Sequence, residues 1–242
     1  MTPEMRGLLK EHNVHSLKEL SGKLNISLNK IKNISSGRTS IDSLFKIKKQ
    51  HAILPKHSAE LAELIGVVLG DGNIFKFDRC QRLTISCNGA YEGYTDYVGD
   101  LVRYIFEKEP VTSKRSGANC QDVCIYMQDM DKALGLPAGN KIVNSVKIPS
   151  WVFRRKEYLR RCLKGLFETD GCYGSNKKHS VEYIEFCNRC ASLLQSVFEA
   201  LVSLGYSPQA GDRYVRLAKK SEVRKFICEM AFTRPFPSLV GQ

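Results

Sequence analysis

Two nine-residue stretches hold the side chains best suited to chemistry. Leu-Ile-Gly-Val-Val-Leu-Gly-Asp-Gly (64–72) and Leu-Lys-Gly-Leu-Phe-Glu-Thr-Asp-Gly (163–171) share one spacing: a small residue, an apolar pair, a second small residue, then Asp and Gly. Gly66 and Gly70 lie four apart, as do Gly165 and Thr169, so on a helix each pair shares a face bare enough for two backbones to approach. Each helix ends at an Asp followed by Gly72 or Gly171, the residue type that most readily leaves a helix in the left-handed conformation. Packed on these faces, the helices bring Asp71 and Asp170 together at one end. Two carboxylates there, each beside a helix C-terminus carrying about half a negative charge, repel unless a cation intervenes. Carboxylates supplemented by the helix-end carbonyls of Gly70 and Thr169 are hard oxygen donors, suited to Mg²⁺ or to another divalent cation such as Mn²⁺. The chemistry this implies is metal-assisted hydrolysis of a phosphodiester. A single Asp-Gly is by type a turn. Two of them, each ending a small-residue helix in a basic chain, point to the site.

The chain that must position these acids has 242 residues, 43% of them apolar, with 37 Lys+Arg against 25 Asp+Glu and a net charge of +12. It can bury one substantial core or two modest ones, which excludes disorder. A charge this positive marks a polyanionic partner, nucleic acid or an acidic membrane surface. Nine cysteines without framework spacing cannot all pair within the chain, so a reducing cytoplasm is expected. Cys187 and Cys190 form one CxxC, but no second pair follows at finger spacing, so no structural zinc is expected there. The first twenty residues carry acids and no apolar block, and no run approaches membrane-spanning length. Neither a targeting peptide nor a membrane segment is expected.

The charge is uneven. Residues 1–57 hold 11 Lys/Arg and 4 Asp/Glu, a net +7, and residues 58–242 hold the remaining +5. The basic segment reads as short helices: 4–11, then one begun by Ser16 with Leu17, Leu20 and Leu24 at helical spacing, then one begun by Ser27 with Leu28, Ile31 and Ile34 and stopped by Gly37. Two short helices around a tight turn resemble a helix-turn-helix, whose second helix exposes Asn29, Lys30, Lys32 and Asn33, with Arg38 just beyond. A small basic helical bundle is the other reading. The segment around Pro55 reads as a linker.

Beyond it the chain is duplicated. The first unit, 58–149, reads helix 61–72, strands 73–77 and 82–87, helix 91–108, strands 111–115 and 122–128, and a short helix. The second, 150–242, reads helix 156–171, a strand from Tyr173, strand 181–186, helix 189–204, strands 207–210 and 213–217, and helix 221–231. The Asp-Gly pairs repeat at an offset of 99, while Leu83 and Ile85 match Ile184 and Phe186 at 101. A literal Cys-Asn match at 100 (Cys87-Asn88, Cys187-Asn188) would place the strands out of phase and is set aside.

These residues resemble the double-motif, single-chain LAGLIDADG homing endonucleases over about 58–242. The resemblance rests on both motifs, on the ββαββ block after each, and on the connector Val-Lys-Ile-Pro-Ser-Trp-Val-Phe at 146–153. It implies an α+β fold of two pseudo-symmetric αββαββα halves with saddle-shaped antiparallel sheets, beside the N-terminal all-α module. It implies that the eighth motif residue, Asp71 and Asp170 here, supplies the metal carboxylate. The often acidic sixth position is Leu69 in the first motif and Glu168 in the second. A two-stranded ribbon fits the DNA major groove. Strand parity turns Arg82, Thr84 and Ser86 toward DNA in the first half, and Tyr183 and Glu185 in the second. Lys76, Arg79, Lys114, Arg115, Lys177, Lys178, Arg213 and Arg216 are further candidates for phosphate or base contacts. By the family pattern a polar residue near each scissile phosphate falls on Lys219-Lys220 and on Gln128. The implied function is Mg²⁺-dependent, site-specific double-strand DNA cleavage by a monomer, associated with an intron or intein. The alternatives are a silent DNA-binding regulator resembling WhiA and an RNA maturase that binds intron RNA.

Overall fold

The computed structural model describes residues 1–24, 26–38, 55–176 and 181–234. Lys177 and Lys178 lie outside the described residues. The chain divides into two compact units, Met1–Gln50 and His51–Gln242.

The first unit contains α1 (Pro3–Glu11), α2 (Leu17–Leu24) and α3 (Leu28–Ser35). Its helices start where side chains satisfy free amides. Thr2 Oγ1 accepts from Met5 N at 3.3 Å, with Pro3 in the first turn. Ser16 Oγ accepts from Glu19 N at 3.1 Å while the Glu19 carboxylate accepts from His15 N at 2.8 Å, a reciprocal cap. Ser27 occupies the N-cap of α3 but makes no side-chain capping bond. The apolar spacing buries Met5, Leu8, Leu20, Ile31 and Ile34 in a small core. Gly37 takes φ +75° after α3, the left-handed stop expected of it.

The second unit repeats one pattern. Its first half runs α4 (Ala59–Asp71), β1 (Gly72–Lys76), β2 (Gln81–Asn88), α5 (Tyr94–Phe106), β3 (Val111–Lys114), β4 (Cys120–Met127) and α6 (Met130–Leu134). A 3₁₀ turn at Ser150–Arg154 leads into α7 (Lys156–Asp170), β5 (Gly171–Asn176), β6 (Val181–Cys187), α8 (Ala191–Ser203), β7 (Gln209–Gly211), β8 (Tyr214–Leu217) and α9 (Lys220–Met230). Two antiparallel sheets result, ordered β1-β2-β4-β3 and β5-β6-β8-β7. The connector is a packed part of the core: Val146, Ile148, Trp151 and Val152 are buried, and His57 stacks on Trp151 at 4.1 Å.

The α4–α7 pair is the centre of this unit. Nine consecutive residues of α4, Leu61 to Leu69, are buried, which is why the helix reads apolar all round. A Cβ on Gly66 would lie 2.1 Å from the Cys162 carbonyl oxygen, and one on Gly165 would lie 2.4 Å from that of Glu63. Each glycine thus seats the backbone of the other helix. One turn on, a Cβ at Gly70 would meet Thr169 Oγ1 at 1.9 Å. Glu63 is fully buried near this contact, held by Lys164 Nζ at 3.0 Å, an Arg161 guanidinium at 2.6 Å and the Tyr97 hydroxyl.

Gly72 and Gly171 correct one expectation. Neither is left-handed: both have φ −85° with extended ψ. Glycine is required instead because a Cβ would strike the preceding turn, 2.5 Å from Val68 Cα or 2.3 Å from the Phe167 carbonyl oxygen. The chain folds back so tightly that helix passes straight into strand. Pairing of Gly72 with Ile85 and of Gly171 with Phe186 reproduces the two sequence offsets, since the second hairpin is two residues longer. Cys87 is accordingly buried and Cys187 exposed. Among the described residues no helix is long and apolar enough to cross a membrane.

Candidate metal and nucleic-acid site

Because α4 and α7 pack on their glycine faces and end at equivalent points, Asp71 and Asp170 emerge side by side. Asp71 opens to solvent at one edge, yet the surrounding protein desolvates it. Burial first, and the charge of Asp170 second, push its pKa up to about 6. Burial raises Asp170 as well, opposed by Asn188 Nδ2, which donates to its Oδ2 at 2.8 Å. Asp71 receives no hydrogen bond among the described residues.

Two cations complete this centre, one for each helix. Lys141 Nζ donates to the Leu69 carbonyl at 2.9 Å and to that of Gly70. Arg234 donates from one guanidinium nitrogen to the Phe167 carbonyl at 2.6 Å and to that of Gly171. Lys141 satisfies carbonyls that a helix end leaves free, Arg234 adds a second donor to the Phe167 carbonyl that already accepts from Gly171 N, and both oppose the carboxylate charge. Burial pushes the Lys141 ammonium down to about 8, against the pull of Asp170 and Asp71. Sequence spacing signals neither cation. Lys141 lies in an aperiodic connector and Arg234 beyond the last helix, so only the fold brings them here.

A pocket of about 500 Å³ opens beside the acids, lined by Gly70, Gly72, Asn73, Lys141, Asp170 and Asn188 among others. The donor set fits a hard divalent cation. Asp170 lines the pocket and Asp71 stands next to it, each raising the case for a cation by its shifted pKa, while Lys141 gives its hydrogen bonds to the Leu69 and Gly70 carbonyls. Of the helix-end ligands, the Gly70 carbonyl already accepts Lys141, and Thr169 turns its hydroxyl back to the Leu166 carbonyl at 2.7 Å. The sixth motif position faces away from the acids: Leu69 is buried, and so is Glu168, whose carboxylate accepts from Thr233 N.

The sheets carry the basic residues. On β2, Leu83 and Ile85 are buried while Arg82, Thr84 and Ser86 line the other, partly exposed face. Arg82 lies over the exposed rings of Phe75 and Phe77, 6.0 and 5.7 Å from their centroids, with exposed Tyr126 stacked beyond Phe77. Sequence parity passed over this aromatic platform, in which Phe75 on the edge strand β1 packs on Phe77 just beyond it, ring centroids 4.7 Å apart. Arg115 pairs with Asp122 at 2.7 Å and donates to Ser86 Oγ at 3.0 Å. In the second half Arg216 pairs with Glu185 at 2.6 Å and covers the rings of Tyr183 and Tyr214. Lys76, Arg79, Lys114 and Arg213 are exposed, as are Lys32 and Arg38 in the first unit, with Lys30 half-buried.

The three residues taken to lie near the scissile phosphates are engaged elsewhere. Lys219 caps α9 and binds Ser207 Oγ at 3.0 Å and Glu222 at 3.1 Å. Lys220 pairs with Glu182 at 3.4 Å, and Gln128 donates to the Arg79 carbonyl at 3.2 Å.

No family model matches the chain. Among curated proteins it is 25% identical over 180 residues to the replication factor C small subunit of Methanocaldococcus jannaschii, covering 67% of this chain and 10% of that one. It is 27% identical over 167 residues to the ribonucleoside-diphosphate reductase NrdEB subunit alpha of Bacillus subtilis, covering 62% of this chain and 15% of that one. The chain thus spans no more than about a seventh of the length of these relatives. Among solved structures it is similar to I-DmoI in complex with DNA and Mn, with a TM-score of 0.52, 14% identity, and coverage of 73% of this chain and 98% of that one. It is equally similar to the N-terminal LAGLIDADG domain of WhiA, with a TM-score of 0.51, 14% identity, and coverage of 76% and 89%. At this identity the likeness speaks for architecture, and the α+β architecture of two four-stranded antiparallel sheets around a central helix pair is the LAGLIDADG fold.

Proposed function

We propose that the chain is a site-specific double-strand DNA endonuclease dependent on a divalent cation, Mg²⁺ or Mn²⁺. The observation that carries this reading is the convergence of Asp71 and Asp170 at paired helix ends, with Lys76, Arg79 and Lys114 exposed in the first half and Arg213 in the second. Asp71 and Asp170 would hold the cation, with the Gly70 and Thr169 carbonyls beside them. When bound it would supply Lewis-acid stabilisation of the phosphoryl oxygens and lower the pKa of an attacking water. Asn188 keeps the Asp170 carboxylate oriented, as partners of metal-binding carboxylates do. Lys141 supplies a positive charge at the phosphate without drawing on the carboxylates, and it takes the place envisaged for Lys219, Lys220 or Gln128 unless DNA exchanges their present partners. Arg82, Thr84, Ser86, Lys76, Arg79, Lys114 and Arg115 would meet one half of a long DNA site, and Tyr183 and Arg213 the other, where Glu185 and Arg216 pair with each other. One chain carries both halves, so it would act as a monomer.

The curated relatives support the reading in a further way. A replication factor and a nucleotide reductase share no named activity, yet both match this chain over a small part of their length. A module carried within unrelated hosts, as an intein endonuclease is, accounts for both. A DNA substrate and free thiols favour a cytoplasmic location. The WhiA likeness favours a second reading, a DNA-binding regulator without cleavage. The test is incubation with a DNA library spanning the uninterrupted host locus, with and without Mg²⁺. Cleavage in Mg²⁺ that Asp71→Asn or Asp170→Asn slows by about a hundredfold or more, with DNA binding retained, is expected from the loss of several kcal/mol of charge stabilisation. Binding without cleavage under every divalent cation would favour the regulator. Full activity in either variant would overturn the mechanism.

A further inference from the structure

Beside the acids, on the second sheet and not on the first among the described residues, lies a cluster of different chemistry. Cys172 on β5 and Glu185 and Cys187 on β6 present one sulfur, one carboxylate oxygen and one sulfur, all within 4.8 Å of one another. Glu185 Oε1 is 3.7 Å from Cys172 Sγ and 3.4 Å from Cys187 Sγ. Those separations are close to the edges of a tetrahedron around zinc. With Zn–S of about 2.3 Å and Zn–O of about 2.0–2.2 Å, tetrahedral edges come to about 3.5–3.8 Å.

We propose that Cys172, Glu185 and Cys187 bind one thiophilic divalent cation, Zn²⁺, through two sulfurs and one oxygen, leaving the fourth position open to solvent. Four features favour a metal over a simple thiol cluster or a disulfide. Cys172 pairs in register with Glu185, so Cys187 is its diagonal neighbour. Diagonal Cα atoms lie about 7–8 Å apart, beyond the span of an unstrained disulfide. Arg216 binds the other carboxylate oxygen, Oε2, through two nitrogens at 2.7 and 2.6 Å, which turns Oε1 to the sulfurs as an outer-shell partner does. Two thiolates, one carboxylate, Arg216 and a dication sum to neutrality. Both cysteines are exposed, so a cation can reach them.

The duplicated fold supplies an internal control. The equivalent positions of the first half, by the two sequence offsets, are Asn73, Thr84 and Ser86, none of which binds zinc well. The fold therefore does not need sulfur there. The CxxC visible in the sequence is not the metal pair: Cys190 is buried and turned to the Lys141 and Val146 carbonyls and to Ser192 Oγ. Its first cysteine finds its partner across the strands instead.

Cobalt titration of the chelator-stripped full chain, kept reduced, tests this directly. One equivalent of Co²⁺ should give near-ultraviolet thiolate-to-cobalt charge transfer that Zn²⁺ abolishes. Cys172→Ser and Cys187→Ser should each lose the band. Arg216→Gln should weaken Zn²⁺ by about 10–100-fold, while Cys228→Ser and Asp71→Asn keep the band. The Asp71–Asp170 site has no sulfur, so it cannot produce this signature. Cobalt bound by the unmutated chain without sulfur charge transfer, or a band that survives in the Cys172→Ser/Cys187→Ser double variant, would overturn the proposal.

Discussion

At the scale of single residues the site is governed by the cost of placing two carboxylates side by side at two helix ends, partly shielded by the surrounding protein. Asp71, raised from 3.8 to about 6, gains a proton below that pH and loses its use as a ligand. Apparent Mg²⁺ or Mn²⁺ affinity should fall by about one decade for each pH unit below 6, because one proton must leave before the cation binds. Isothermal titration at several pH values measures this, and a flat profile would remove Asp71 from the ligand set. The same shift has a sign for stability. A carboxyl whose folded pKa lies above its unfolded value favours folding below the unfolded pKa, and that contribution is lost as pH rises through about 6. Without metal, thermal melting should therefore gain stability as pH falls from about 7 toward 4 at this locus. Divalent cation should close the gap at neutral pH by binding the folded state alone. Asp71→Asn should remove the metal response and the part of the pH dependence that Asp71 carries, leaving that of Asp170, which burial raises independently. The acids were legible in the sequence because Asp-Gly recurs after two small-residue helices. Lys141 and Arg234 were not, since a side chain that reaches a helix end from a distant loop leaves no periodic trace.

At the scale of elements the decisive contact is backbone on backbone. Gly66→Ala places a methyl 2.1 Å from the Cys162 carbonyl, and Gly165→Ala one 2.4 Å from that of Glu63. Neither neighbour can rotate away. Each substitution should cost at least about 1–3 kcal/mol, the range for overpacking, and calorimetry or urea titration would show it. Gly70→Ala should cost a comparable amount, because a Cβ there would lie 2.6 Å from Thr169 Cβ as well as 1.9 Å from its Oγ1, and no side-chain rotation moves a Cβ. Negligible losses at all three glycines would mean that the helices do not approach as described. The spacing of these small residues announced a close helix pair, and strand alternation announced which faces of β2 and β6 are buried. The role of Gly72 and Gly171 was misread from residue type. Both glycine explanations, left-handed turn and steric clearance, look alike in a sequence, and only the backbone course separates them.

At the scale of the whole molecule the net charge of +12 divides between a small helical unit and a duplicated unit that carries two acids at the ends of its central helix pair. Removing residues 1–55 should weaken DNA binding and flatten its salt dependence, by a slope of about 0.9 for each phosphate that the module neutralises. Filter binding or fluorescence anisotropy across a salt series reads this, and an unchanged slope would assign the module another role. The sequence by itself determined the duplication, the order of helices and strands in each half and the acids at its centre. Those features are written in local periodicity and repeated spacing, which short-range sterics and burial enforce. Only the tertiary structure decided which cations stand at the helix ends, which basic residues are tied up in ion pairs, and that Cys187 faces Cys172 across a strand instead of Cys190 along the chain. Each of these is a meeting of residues far apart in sequence. Their distances follow from packing two sheets around one helix pair, which no local pattern encodes.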